Sequence, residues 1–219
     1  GKQSGKTGSA TQLSINHLMA SYALQGKLVV RLKGGDVSVF SNVLDELEIL
    51  TSMGIPYELV PGVTSALGAA AYAGIPLTAR GYAKGVRLLT FHTPDVIPEG
   101  DWRDWASTMD TLVFYMSGQV LPELAARLHE SGMPADKPLA VISQATTPYQ
   151  QVRLGSIGEF LTPDHSPAFV SPTLIIVGDV VKLHPRFQWF QAEEGIGTFF
   201  PALPGESTNQ TVQQHAGNP

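Results

Sequence analysis

From residue 12 to residue 77 the chain alternates helical repeats with short apolar runs that end on glycine or proline. That order leaves few folds open. An apolar run with two hydrophobic faces must be covered on both, and helices between successive runs supply the cover. Ser9 and Gln12 are spaced like a capping box, and Ile15, Leu18, Met19 and Tyr22 repeat at helical spacing until Gly26 offers a stop. Residues 28–32 form a branched apolar run broken only by Arg31, the pattern of a strand buried on both faces, and Gly34-Gly35 end it. A helix is expected over residues 41–53, with Val43, Leu47 and Leu50 on one face, and a second strand over residues 57–60. Pro61-Gly62 then turns the chain. Thr64 is placed to cap a helix of small residues that reaches Ala73 before Gly74 and Pro76 stop it. This βα alternation with short loops favours a parallel sheet covered by helices.

After Arg80 the residues become small and polar, and a new strand is expected over residues 86–91, so a domain boundary is placed after Lys84. Further strands are expected at residues 111–116, 139–143, 151–154 and 173–177, with helices at residues 120–130 and 156–161. The fold class is therefore α/β in two domains, residues 1–84 and 85–191. Residues 192–219 are rich in Gly, Pro, Gln, Asn and Thr without apolar periodicity, and are expected to be a disordered tail.

Composition narrows the function. A net charge of −5 over 219 residues disfavours a general polyanion binder, so no nucleic-acid partner is expected. With no cysteine, neither a disulfide framework nor a thiolate site can form, which suits a cytoplasmic location. The longest apolar stretch, residues 66–77, falls short of the roughly 20 residues of a membrane span, so no membrane partner is expected. The opening Gly1-Lys2-Gln3-Ser4-Gly5-Lys6-Thr7 is similar to a phosphate-binding loop but has three residues between its glycines where that motif needs four. The six histidines are scattered and form no metal-ligand or triad spacing, so no metal is expected.

Four loops at expected strand ends remain. Lys33-Gly34-Gly35-Asp36 lets backbone approach a ligand, with Asp36 as a hydrogen-bond acceptor, and serves equally well as a tight turn with a capping aspartate. Pro61-Gly62-Val63-Thr64-Ser65 serves equally well as a ligand loop or a simple turn and N-cap, whereas Met116 at a strand end reads first as a core methionine and Ala145-Thr146-Thr147-Pro148 first as a turn. Such loops on α/β halves suit a small molecule.

Taken in order, these segments resemble the uroporphyrinogen-III C-methyltransferases within the tetrapyrrole methylase family. The resemblance rests on Gly1-Lys2 with Ser4-Gly5, Val30-Arg31-Leu32-Lys33-Gly34-Gly35-Asp36, Pro61-Gly62-Val63-Thr64, Ala73-Gly74-Ile75-Pro76-Leu77-Thr78 with Arg80, residues 112–116, Ala145-Thr146-Thr147-Pro148, and Ser171-Pro172-Thr173-Leu174-Ile175-Ile176-Val177-Gly178. It implies a parallel-sheet N-terminal domain, a mixed-sheet C-terminal domain and S-adenosylmethionine as methyl donor, bound between the domains. It further implies that Gly34, Gly35, Asp36, Val39, Thr64, Ser65, Met116 and Ala145 contact that cofactor, largely through backbone. Lys2 aligns with the family's proton donor. The implied reaction is two C-methylations of uroporphyrinogen III, giving precorrin-2 for siroheme or cobalamin synthesis, by a homodimer. The substrate's eight carboxylates would meet a basic patch drawn from Arg31, Lys33, Arg80, Lys84 and Arg87, with Arg80 and Lys33 as the expected contacts.

Some segments depart from the family pattern. After Asp36 the usual Pro-Phe-x-Phe-Gly-Arg-Gly-Gly-Glu-Glu becomes Val37-Ser38-Val39-Phe40-Ser41-Asn42-Val43-Leu44-Asp45-Glu46, losing an arginine and three glycines, and Ala79 stands where the family has histidine. The family's opening strand and its Gly-x-Gly-Pro-Gly-Asp-Pro loop would precede residue 1, so an N-terminal truncation is expected. The alternatives are a later-acting precorrin methyltransferase and a non-catalytic S-adenosylmethionine-binding homologue.

Overall fold

The computed structural model describes residues 11–91, 97–162, 169–193, 197 and 199. The chain divides into two compact units, residues 1–71 and 72–219. The division falls earlier than the one expected after Lys84, because the segment after the third helix is tied to residues far along the second unit. His184 Nδ1 is hydrogen-bonded to the Ala73 carbonyl, and the Cβ of an alanine at Gly74 would stand 2.2 Å from the Phe187 carbonyl oxygen.

In the first unit α1 spans Gln12–Leu24 and α2 spans Val43–Ser52. The cap of α1 is Thr11, whose hydroxyl accepts from the Ser14 amide; Ser9, the expected cap, lies outside the described residues. Gly26, at φ 77°, ends the helix as expected. The buried face of α1 is Asn16, Met19 and Ala20, whereas Leu18 and Tyr22, expected in the core, are exposed. The face turned because α1 is fastened to α2 by polar groups: Asn16 Nδ2 donates to the Asp45 carbonyl and Gln12 Nε2 to Glu46. α3, Ser65–Ala73, begins after Thr64, whose carbonyl accepts from the amides of Leu67 and Gly68.

The two strands expected in this unit are not formed. Residues 28–32 and 57–60 belong to no ladder, and Leu28, Val30 and Leu32 are exposed by 94%, 78% and 83%. A strand buried on both faces needs hydrogen-bonded neighbours on either side, and among the described residues none pairs with either segment.

The second unit holds a five-stranded mixed sheet. Its strands are β1 Val86–Thr90, β2 Thr111–Tyr115, β3 Pro138–Ser143, β4 Gln151–Ser156 and β5 Thr173–Val177, in the spatial order β1-β2-β5-β3-β4. β1 and β2 run parallel; β5 is antiparallel to both β2 and β3, and β4 is antiparallel to β3. All five match runs read from the sequence. α4, Glu99–Ser107, and α5, Leu121–Glu130, contribute Trp102, Ala106, Leu124 and Leu128 to one core with Leu112, Phe114, Val141, Ile175 and Val177. The helix expected over residues 156–161 is a short 3-10 turn, Gly158–Phe160, because β4 continues to Ser156 opposite Pro138. α6, His184–Phe187, follows a 3-10 segment carrying buried Val180 and Val181.

Most of the expected tail lies outside the described residues. Those described are held rather than free: Glu193 N donates to the Pro148 carbonyl, Gln144 Nε2 to the Gly197 carbonyl, and Phe199 N to Gln144 Oε1. Among the described residues no helix is long and apolar enough to cross a membrane.

Candidate functional site

In the first unit, two of the predicted ligand loops are stitched to each other. Asp36 Oδ2 accepts from the Gly62 amide at 2.8 Å, and Oδ1 accepts from the Ser38 amide at 2.8 Å and from the Ser38 hydroxyl. The Ser38 hydroxyl, the Gly62 amide and the Ser38 amide together hold the Asp36 carboxyl below the ordinary aspartate range. Asp36 is thus a clamp between loops. The approach it enforces is close: an alanine Cβ at Gly62 would stand 2.2 Å from the Gly35 carbonyl oxygen, and Gly35 itself adopts φ 74°. Over Gly34 the space is open, with nothing within 4 Å of where a Cβ would be. Thr64 is buried and Ser65 opens α3, while Val39 closes a turn by donating from its amide to the Asp36 carbonyl. The structure therefore brings Gly34, Gly35, Asp36, Val39, Thr64 and Ser65 into one pair of adjoining loops.

Lys33, expected to meet substrate, is paired within its own unit. Its ammonium lies 2.8 Å from Glu46 Oε2 and 2.6 Å from the Ser41 carbonyl, on a side chain 9% exposed. Burial pushes the Glu46 carboxyl up, but hydrogen bonds from Lys33, Gln12 and Arg31 outweigh it, and the group sits below its ordinary value. Arg31 joins the same carboxylate at 3.0 Å. In the second unit Arg87 is bound by Asp104 and Asp110. Of the five expected basic residues, Arg80 and Lys84 remain exposed without an ion pair among the described residues. Arg80 stands in the turn closed by the bridge between Ala79 and Ala83.

Met116 and Ala145 sit at one edge of the second unit's sheet. β2 and β3 are each antiparallel to β5, so their carboxyl ends flank its start, where Tyr115 faces Leu174 and Ser143 faces Thr173. The backbone there is strained: Met116, Gln144 and Thr146 have φ of 59°, 48° and 68°. Left-handed non-glycine residues cost energy, persist only where the surroundings enforce them, and cluster at ligand sites. Gln144 is buried and its amide donates to the Pro172 carbonyl at 2.8 Å. Sequence reasoning missed Gln144, for which strand-end position was the only signal. Lys2 lies outside the described residues. Among the described residues no cluster of three or more His, Asp or Glu is placed to hold a metal ion.

The family model for tetrapyrrole (corrin/porphyrin) methylases matches residues 2–161. A siroheme synthase of Actinobacillus pleuropneumoniae serotype 7 is 45% identical over 218 residues, 98% of this chain, and the chain spans 42% of that relative's length. Among solved structures, a uroporphyrin-III C-methyltransferase from Thermus thermophilus superposes with a TM-score of 0.70 at 38% identity, over 81% of this chain and 76% of the other. A second structure of such an enzyme from Thermus thermophilus, complexed with S-adenyl homocysteine, gives 0.67 at 32% identity, over 78% of this chain and 74% of the other. The chain belongs to the tetrapyrrole methylase family.

Proposed function

We propose that this chain carries an S-adenosylmethionine-dependent C-methyltransferase activity that converts uroporphyrinogen III to precorrin-2 by two methyl transfers, in siroheme or cobalamin synthesis. The observation that carries this reading is the 45% identity to a siroheme synthase along nearly the whole chain, supported by the structural likeness to uroporphyrin-III C-methyltransferases. S-adenosylmethionine, when bound, supplies the methyl group. Gly34, Gly35, Asp36, Val39, Thr64 and Ser65, with Met116 and Ala145, are the proposed cofactor contacts. Their part is to present main-chain donors and acceptors that hold the ligand in a reactive geometry. Arg80, exposed and without an ion pair among the described residues, is the proposed contact for a substrate carboxylate, where a guanidinium binds in a bidentate fashion. Lys2 is the proposed proton donor. The reading includes a homodimer in the cytoplasm.

Anaerobic incubation of the protein with uroporphyrinogen III and S-adenosylmethionine, followed by mass spectrometry of the tetrapyrrole, tests the reading. A gain of two methyl groups is expected. An unchanged tetrapyrrole from a protein that binds the cofactor would favour the non-catalytic homologue, with the altered segment after Asp36 as the place where substrate contact was lost.

A further inference from the structure

Glu46 is a buried carboxylate with no part in the reaction as read above. It lies in the first turn of α2 and is 4% exposed. Its Oε1 accepts from Gln12 Nε2 and Arg31 Nε, each at 3.0 Å, and its Oε2 meets Lys33 Nζ at 2.8 Å. Lys33 Nζ gives a further hydrogen to the Ser41 carbonyl at 2.6 Å. Residues 33 and 41 bracket the excursion that contains Gly34, Gly35 and Asp36, so the ammonium closes the base of that loop and Glu46 fixes the ammonium to α2. Lys33 also directly precedes Gly34, and any shift of its anchored side chain passes into the glycine backbone. A buried ion pair contributes little net stability but fixes geometry, because both charges must keep their partners.

We infer that the Glu46–Lys33 pair, with the Ser41 carbonyl, positions the Gly34-Gly35-Asp36 loop for the cofactor, and that Lys33 is not a contact for substrate carboxylates. The inference rests on the reading of that loop as a cofactor loop. Both observed partners of Lys33 lie within its own unit, and one of its three ammonium hydrogens remains, on a side chain 9% exposed.

The test measures S-adenosylhomocysteine binding by calorimetry and methyl transfer by steady-state kinetics, in the protein at its natural length. Lys33→Met, Lys33→Arg, Glu46→Gln and the Lys33→Met/Glu46→Gln double variant are compared with wild type, with folding checked by circular dichroism. Lys33→Met and Glu46→Gln are each expected to weaken S-adenosylhomocysteine binding about tenfold, and the double variant no further, since the two residues act as one unit. Lys33→Arg should recover affinity to within about threefold of wild type, because it keeps the charge on Glu46. The KM for S-adenosylmethionine should rise while that for uroporphyrinogen III stays put. Should Glu46→Gln not fold, the contrast between Lys33→Met and Lys33→Arg decides. A raised tetrapyrrole KM with unchanged S-adenosylhomocysteine affinity in Lys33→Met overturns the inference and returns Lys33 to the substrate. Unchanged binding in every variant overturns it too. A wild-type protein that binds no S-adenosylhomocysteine overturns the cofactor reading itself.

Discussion

At Gly62 one added methyl group would collide with main chain rather than with a side chain that can swing away. The contact is the Gly35 carbonyl oxygen, 2.2 Å from the ideal Cβ, in the loop that Asp36 clamps to Gly62. Gly62→Ala should therefore part the two loops, destabilise the protein by about 2 kcal/mol and weaken S-adenosylhomocysteine binding, read by denaturant titration and calorimetry. Glu46 gives a prediction in pH. Its carboxyl is held below the ordinary value in the folded chain, so its contribution to stability is complete above about pH 4.5 and is lost as pH falls through the lower folded value. Glu46→Gln, which leaves half-buried Lys33 without its counter-charge, should cost about 3 kcal/mol at pH 7. The gap between variant and wild type should narrow in acid, when urea unfolding is followed at pH 7 and pH 3.5. A gap that stays constant would mean the carboxylate charge is not what holds the loop. Gly34, Gly35 and Asp36 were legible in the sequence as a loop, although the strand expected before them is not formed. The task of Asp36 was not, because its partner Gly62 lies 26 residues away and spacing alone does not reveal a clamp. The counter-charge of Lys33 was not legible either, because Glu46 lies on α2, away from the loop in sequence.

Among the elements, the five strands of the second unit were legible because four are mainly apolar runs and β4, Gln-Val-Arg-Leu-Gly-Ser, alternates polar and apolar residues, and their partners are other such segments in the same chain. α4 was not foreseen. Its sequence Glu-Gly-Asp-Trp-Arg-Asp-Trp-Ala-Ser is polar apart from two tryptophans and an alanine, too little for an apolar repeat to stand out. The element is held by those few large contacts: Trp102 is fully buried, edge-on to Phe91 at 5.3 Å and to Trp105 at 5.1 Å, with the Arg127 guanidinium over its ring. Trp102→Ala should remove about 4 kcal/mol from the second unit, measured by thermal or denaturant unfolding. A loss under 1 kcal/mol would show that α4 does not cover the sheet. Residues 28–32 and 57–60 fail in the opposite sense. Their composition announces strands, but a strand is a property of a pair, and among the described residues neither has a pairing neighbour.

For the molecule as a whole, family membership was legible from the order and spacing of motifs, and the match over residues 2–161 bears it out. The runs alone gave an α/β second unit and the family resemblance implied its mixed sheet, which is formed; the parallel sheet of the first did not appear among the described residues. The position of the division between units was less legible, since the bond from His184 to Ala73 joins residues 111 apart. The central claim is that methyl groups are delivered to carbon on a tetrapyrrole. The most direct measurement uses S-adenosylmethionine labelled with carbon-13 in its methyl group, incubated anaerobically with uroporphyrinogen III and the protein, with the product examined by carbon NMR. Two labelled methyls bonded to ring carbons are the predicted result. Label on a carboxylate oxygen or a nitrogen, or no transfer from a protein that binds the cofactor, would contradict it.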